Sequence, residues 1–265
     1  MNAARTFHTI RWDVEDGVGT LTMHRPDRLN GMTNLMLHEA AVLLRDVADD
    51  PSVAVLVLTG AGRAFCPGAD LKHYTSDGSD EPDHELTAED FDVPVLLHSM
   101  PQVTIAAING ACAGAGLGWA CACDLRYAVA DAKLNTAFLD VAVAGDMGLP
   151  WTLPRIVGAG RARELSLLPR KLTGREAAAI GLVNEAFSSL ELLTVEVGTR
   201  ADRLAAAAPL ARRAMKAHYV AADGMSFADL VAIETEAHMR ISQSADCREA
   251  FRAFLDKRPP VFEGR

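Results

Sequence analysis

Short apolar runs, each cut off by glycine or proline, fill the chain up to about Ser189; beyond it the pattern is almost wholly helical. Thr9 to Val14 and Val18 to His24 alternate in part between apolar and polar residues around Glu15-Asp16-Gly17, which predicts a β-hairpin. Arg25 to Asn30 reads as a proline-punctuated loop, and Thr33 stands where it caps a helix reaching about Asp49. The β-branched run Val53 to Thr59 predicts a buried strand ending at Gly60-Ala61-Gly62. The same rhythm returns with Val103 to Ile108, a helix from about Ala115, and Leu125 to Val129. Parallel strands with helical crossovers, an α/β fold, are the consequence.

Between His73 and Asp92 the residues shift to Ser, Gly, Pro, Asp and Glu, which reads as a solvated surface loop and, less directly, as a lid. Past Ser189, Pro209 opens one helix, Ser226 caps the next, and a last helix runs from about Ala245 to Leu255, before Pro259-Pro260. Terminal helices with apolar faces pack on their own core or on another subunit.

At 265 residues the chain can bury one large core with an appendage. A net charge of -9 argues against nucleic acid or an anionic membrane as the main partner. No apolar run is long enough to span a bilayer and the N-terminus lacks the apolar stretch of a signal peptide, so a cytoplasmic location is the expectation. Cys66, Cys112, Cys121, Cys123 and Cys247 form no CxxC pair and no zinc-ligand spacing with histidine, so they read as reduced core residues and no metal is expected.

The chemistry concentrates in two glycine-rich stretches, each after a predicted strand. These are Ala64-Phe65-Cys66-Pro67-Gly68-Ala69-Asp70-Leu71 and Ile108-Asn109-Gly110-Ala111-Cys112-Ala113-Gly114-Ala115-Gly116-Leu117-Gly118. Glycine and alanine leave main-chain N–H groups uncovered, so two such sites facing each other make an oxyanion hole. With Leu21-Thr22-Met23-His24-Arg25-Pro26, Cys123-Asp124, Leu153-Pro154-Arg155-Ile156-Val157-Gly158 and Ala177 to Asn184, the chain resembles the enoyl-CoA hydratase/isomerase family, the crotonase superfamily. The resemblance spans about residues 15 to 260.

It implies a spiral of ββα turns over about residues 1–200 and a helical trimerisation region over 201–265, assembled as a trimer or dimer of trimers. The implied ligand is an acyl-coenzyme A thioester, its coenzyme part of the substrate and no separate cofactor needed. Carried over position by position, the Ala69 and Ala115 amides would hold the thioester oxygen, an effect worth about 3–4 kcal/mol per donor. The coenzyme would run along Asp27, Arg28 and Leu29 and past Pro67, Ala69 and Leu71. Arg25, Arg28, Lys72 and Lys257 are the cations expected near its phosphates, with Lys257 also able to serve a neighbouring subunit.

Hydratases of the family use two glutamates, and gapless counting puts Gly118 and Phe138 at their positions. Asp146, just before a helix start and beside Met147, Leu149 and Trp151, is the carboxylate that remains. Apolar neighbours would raise its pKa toward that of a useful base, and a helix N-cap is its structural alternative. Asp140 is a weaker candidate whose direction a strand would decide. One carboxylate suffices to move a proton along an acyl chain, so double-bond isomerisation is the leading expectation. Hydration through Asp146, aryl-CoA dehalogenation, and coenzyme A binding without catalysis are the alternatives. Dehalogenation is weakened because Phe91 and Phe138 replace that branch's histidine and tryptophan. His73 and His98 are not placed in the site, Trp119 reads as core, and Trp151 as a possible acyl-pocket wall.

Overall fold

A computed structural model describes residues 6–75, 82 and 84–265. The hairpin forms as its alternation predicts: β1 (Ile10–Glu15) and β2 (Val18–Met23) pair antiparallel, Ile10 opposite Met23, about left-handed Asp16 and Gly17. Helix α1 (Asn34–Ala48) begins where Thr33 Oγ1 accepts the Met36 N–H at 3.3 Å. Its stripe of Met36, Leu37, Ala40, Leu44 and Val47 faces the core.

The strand–strand–helix unit then recurs. It is built by β3 (Val55–Gly60), β4 (Ala64–Cys66) and α2 (Leu71–Thr75), and, after α3 (Val93–Ser99), by β5 (Val103–Ile108), β6 (Ala111–Ala113) and α4 (Ala115–Ala122). Next come β7 (Leu125–Val129), β8 (Lys133–Asn135), α5 (Leu149–Val157), α6 (Ala159–Leu167), β9 (Leu172–Thr173), α7 (Gly174–Ala179) and β10 (Glu185–Phe187). A six-stranded sheet runs β1-β2-β3-β5-β7-β10, parallel from β2 onward. The short strands form a second sheet, β4-β6-β8-β9, which the sequence reading missed. Strands of two or three residues are too short to show an alternation.

Two amide side chains, Asn30 buried and Asn109 half-buried, fix the passage between the sheets. Asn30 Nδ2 donates to Ala61 O and Ala64 O at 2.9 and 2.7 Å, and Asn109 Nδ2 to Gly60 O and Gly62 O at 2.8 and 3.0 Å. Helix α4 is buried on every side, so its orientation is set by packing all round.

The remainder is helical: α8 (Leu190–Ala205), α9 (Pro209–Ala222), α10 (Phe227–Ile241) and α11 (Ala245–Asp256), with Ser226 and Ser244 as N-caps. The boundary expected at residue 200 falls inside α8, whose Leu193, Val197 and Ala201 pack under the large sheet with Val55, Ile105 and Tyr127. Lys216 on α9 ties the terminal helices to the core: its buried Nζ donates to Gln102 O at 2.6 Å and pairs with Asp124 Oδ2 at 2.8 Å.

The stretch 73–92 is not a plain loop. His73 to Thr75 belong to α2, and residues 84–92 lie against α1: Asn34 Nδ2 donates to His84 O, Arg45 to Glu89 O, and Thr87 with Asp90 forms a capping box. Of the stretch 73–92 expected as a loop or lid, residues 76–81 and 83 lie outside the described residues. Among the described residues no helix is long and apolar enough to cross a membrane. All five cysteines are free, four of them buried.

Candidate active site

The two glycine-rich stretches meet. Gly68 and Gly114 take φ values of 102° and 51°, which L side chains rarely adopt. A Cβ on Gly68 would stand 3.2 Å from Ala113 O and 3.7 Å from Ala115 N, and one on Gly114 would stand 3.8 Å from Gly68 Cα. Bare main chain therefore faces bare main chain directly beside Ala69 and Ala115.

Both amides are uncommitted. Residue 69 forms a parallel bridge with Met32, in which Met32 N donates to Gly68 O and Asp70 N to Met32 O, at 2.8 and 2.9 Å. That pattern uses the groups on either side and leaves the Ala69 N–H itself without an acceptor among the described residues. Ala115 is the first residue of α4, where an N–H has no intrahelical acceptor and the helix dipole favours negative charge. Ala69 is exposed while Ala115 is 6% exposed, so one donor lies at the mouth and the other deeper.

A single aromatic ring links these turns to the segment bearing Asp146. Phe138 Cε1 lies 3.8 Å from where a Gly114 Cβ would be, and its Cδ2 3.9 Å from where a Gly145 Cβ would be. On the next turn of α4, a Cβ on Gly118 would meet Met147 Cβ at 2.5 Å and Met147 O at 3.1 Å. Position 118 thus holds no side chain because the chain at 147 already fills that space. The two positions expected of glutamates are now the contacts that bring residues 145–147 against the oxyanion turns.

Asp146 is half-buried and does not cap α5. The cap is left-handed Gly148, without a side-chain bond, and Asp146 engages the helix start through its main-chain oxygen, which accepts from Leu149 N at 3.1 Å. Its Oδ1 is buried with no hydrogen-bond partner among the described residues. Burial pushes its carboxyl above the ordinary aspartate range. Asp140 lies in an exposed 3-10 turn, Leu139–Val141, rather than a strand, and faces no comparable enclosure.

Tyr74, which carries no signal in the sequence, lies near this carboxylate. Its phenol donates to Asn34 Oδ1 at 2.8 Å, and burial, then the charges of Asp70 and Asp146, push its pKa up against the opposing pull of Arg25. Met147 also lines an apolar cavity of about 370 Å³ together with Phe91, Val95, His98 and Trp151. His98 makes an edge contact with Trp151 and pairs with Asp223 Oδ2 at 3.3 Å, so it belongs to this wall. Trp119 is fully buried, as its position on α4 predicts.

The residues expected along the coenzyme divide. Asp27 and Arg28 sit in the 3-10 turn Pro26–Arg28, Leu29 follows in a left-handed conformation, and Arg28 Nε reaches within 4.0 Å of Asp70 Oδ2. This turn therefore borders Ala69 and exposed Leu71. Arg25 differs from expectation: it is buried, pairs with Asp70 Oδ2 at 3.0 Å and donates to Gly31 O, so it serves the turn's architecture. Lys72 is exposed, its main-chain N–H held by Asp70 Oδ1. Lys257 follows α11 in a left-handed conformation, and among the described residues no polar contact joins it to that turn.

A ββα spiral in which two glycine turns meet, each beside an amide without an acceptor among the described residues, and in which a half-buried carboxylate packs against them, belongs with enzymes that act on acyl thioesters. The chain belongs to the enoyl-CoA hydratase/isomerase family, whose model it matches over residues 13–265. It is 35% identical over 262 residues to a probable enoyl-CoA hydratase of Rhodobacter capsulatus, covering 98% of this chain and all of that one. It is 34% identical over 255 residues to the 1,2-epoxyphenylacetyl-CoA isomerase of Escherichia coli, covering 95% and 97%. A solved structure described as a putative enoyl-CoA hydratase from Streptomyces coelicolor superposes with a TM-score of 0.88 at 32% identity, covering 100% and 98% of the two chains. The crotonase fold and an acyl-CoA enzyme are thereby established, and the relatives include hydratases, isomerases and a dehalogenase.

Proposed function

We propose that the protein is an enoyl-CoA isomerase in which Asp146 carries the proton. The observation behind this reading is the contact of Gly118 with Met147, which fills the space of one expected carboxylate and sets the partnerless Asp146 beside the oxyanion turns. The Asp146 carboxylate takes a proton from C2 of a 3-enoyl thioester, and the electron pair moves onto the thioester oxygen. The N–H groups of Ala69 and Ala115 donate to that oxygen. The same carboxyl returns the proton at C4, the oxygen's charge flows back, and a 2-enoyl thioester results. Asp27, Arg28, Leu29, Pro67, Ala69 and Leu71 flank the coenzyme in this reading, and the Met147–Trp151 cavity takes the far end of the acyl group. Hydration would need a second group to orient water, and Phe138 supplies none.

Incubation with matched 2-enoyl and 3-enoyl thioesters of coenzyme A, following both double-bond migration and water addition, tests the reading. Migration without 3-hydroxyacyl product is expected; water addition as the main reaction removes the proposal. The same assay carries a pH signature. Because burial raises the Asp146 pKa, the ionised base is lost on acidification at a higher pH than for an ordinary aspartate, and kcat falls there.

A homo-oligomer, a trimer or dimer of trimers, completes the reading. Phe227, Phe251, Phe254 and Leu255 on the terminal helices are 82%, 66%, 83% and 79% exposed, more apolar surface than helices facing water carry. Mass determination by light scattering checks it, three or six protomers being expected and one being the contrary result. Lys257, on this surface, is then placed to serve a neighbour's ligand.

A further inference from the structure

A cluster away from the oxyanion turns combines two histidines and an aspartate from two segments of the chain. His38 on α1 points Nδ1 at Asp90 Oδ1 (2.9 Å), and His84 points Nε2 at Asp90 Oδ2 (3.0 Å), across sequence separations of 52 and 6 residues. One ligand atom from each residue lies within 4.8 Å of the other two, and the imidazole centroids are 4.0 Å apart. Such spacing escapes any motif in the sequence, which is why no metal was expected from it.

The electrostatics of the cluster are unusual. Asp90 is 1% exposed, and its ion-pair partners among the described residues are those two histidines. Burial opposes its charge, but the Thr87 N–H, the two histidines and the Thr87 hydroxyl hold its pKa down at about 2. Two imidazole nitrogens and a buried carboxylate oxygen converging this closely are the donor set that a divalent cation takes, and its charge would balance the carboxylate directly.

We propose that His38, Asp90 and His84 bind a divalent transition metal of the zinc class, two nitrogens and one carboxylate oxygen with water completing the shell. Oδ2 already accepts from Thr87 N and Oγ1 at 2.8 and 3.0 Å, which orients the carboxylate and leaves Oδ1, with His38 alone upon it, as the ligand atom. Zinc bonds of about 2.0–2.1 Å in a tetrahedron put ligand atoms about 3.3 Å apart, so atoms now within 4.8 Å of one another must close by up to about 1.5 Å, a movement that rotation of the two imidazoles covers. Each imidazole binds through a nitrogen that carries no proton and keeps its N–H on the other, and because protonation of the ring competes with the metal, binding weakens on acidification. The ion would clip α1 to the 3-10 turn Ala88–Asp92, whose Phe91 lines the apolar cavity.

Zinc titration of the full chain, followed by calorimetry and thermal melting, tests this independently of turnover. One zinc per chain and a raised melting temperature are expected for the wild type, with both lost in His38→Ala, whose exposed side chain makes it the substitution of least risk to folding. X-ray absorption of the zinc-loaded wild type should show two imidazole ligands, a readout that needs no variant. Absence of stoichiometric binding, equal binding by His38→Ala, or a spectrum without imidazole overturns the proposal; isomerase activity bears on neither result.

Discussion

Asp146→Asn should lower kcat for double-bond migration by about 10²–10⁴-fold, the usual worth of a positioned acid–base group, and leave acyl-CoA affinity nearly unchanged. The carboxamide keeps the shape of the side chain but cannot take up and return the proton. Stability gives the complementary half of the expectation. The folded-state pKa of Asp146 lies above its ordinary value because of burial, so above that ordinary value the folded protein bears the cost of a partly desolvated charge. Replacing the acid by an amide removes that charge, and the variant should melt at the same temperature as the parent or higher at neutral pH. Lost activity with undiminished stability is what a group selected for chemistry at the expense of folding would show. Full turnover in Asp146→Asn would exclude Asp146 as the base. Lost turnover with a sharply lowered melting temperature would instead point to a structural role.

Much of the frame was legible because it follows from local rules. Thr33, Ser226 and the turn at Asp16-Gly17 announce their elements through side-chain oxygens and backbone freedom, and the β-branched runs at 53–59 and 103–108 announce the buried strands found at 55–60 and 103–108. The two glycine-rich turns were legible as chemistry for the same reason, since exposed main chain is written in the residue types. What stayed hidden depends on contacts between distant segments. That Gly118 is occupied by the backbone at Met147, or that Phe138 touches both the Gly114 and Gly145 turns, cannot be inferred from either segment alone. Arg25 likewise reads as a phosphate ligand until Asp70 is seen to bury it. The stretch 84–92, polar enough to suggest a loop, is ordered through Asp90, whose partners lie on another helix as well as nearby. Polarity marked the segment, but only the fold shows that its charge is turned inward.

Gly116→Ala is expected to cost both activity and stability, because the site depends on how closely β4 approaches α4. A Cβ on Gly116 would lie 2.2 Å from Cys66 O and 2.8 Å from Cys66 Cβ, and the oxygen belongs to backbone that no rotamer change can move aside. Gly116 directly follows Ala115, and Cys66 stands three residues before Ala69. The methyl group must therefore push apart the two segments that carry the amides. Overpacking of this kind costs about 1–3 kcal/mol or more of folding free energy. Misplacing one donor is expected to approach the effect of deleting it, about 10²–10³-fold in kcat. Because the thioester oxygen gains most of its charge after binding, the loss should appear in kcat more than in KM. Gly160→Ala, on α6 with no heavy atom within 4 Å of the added carbon, is the matched control and should keep full activity with equal or slightly greater stability. Were Gly116→Ala to fold and turn over like the parent, the amides of Ala69 and Ala115 would not be acting as one pair, and the enolate would have to be held elsewhere.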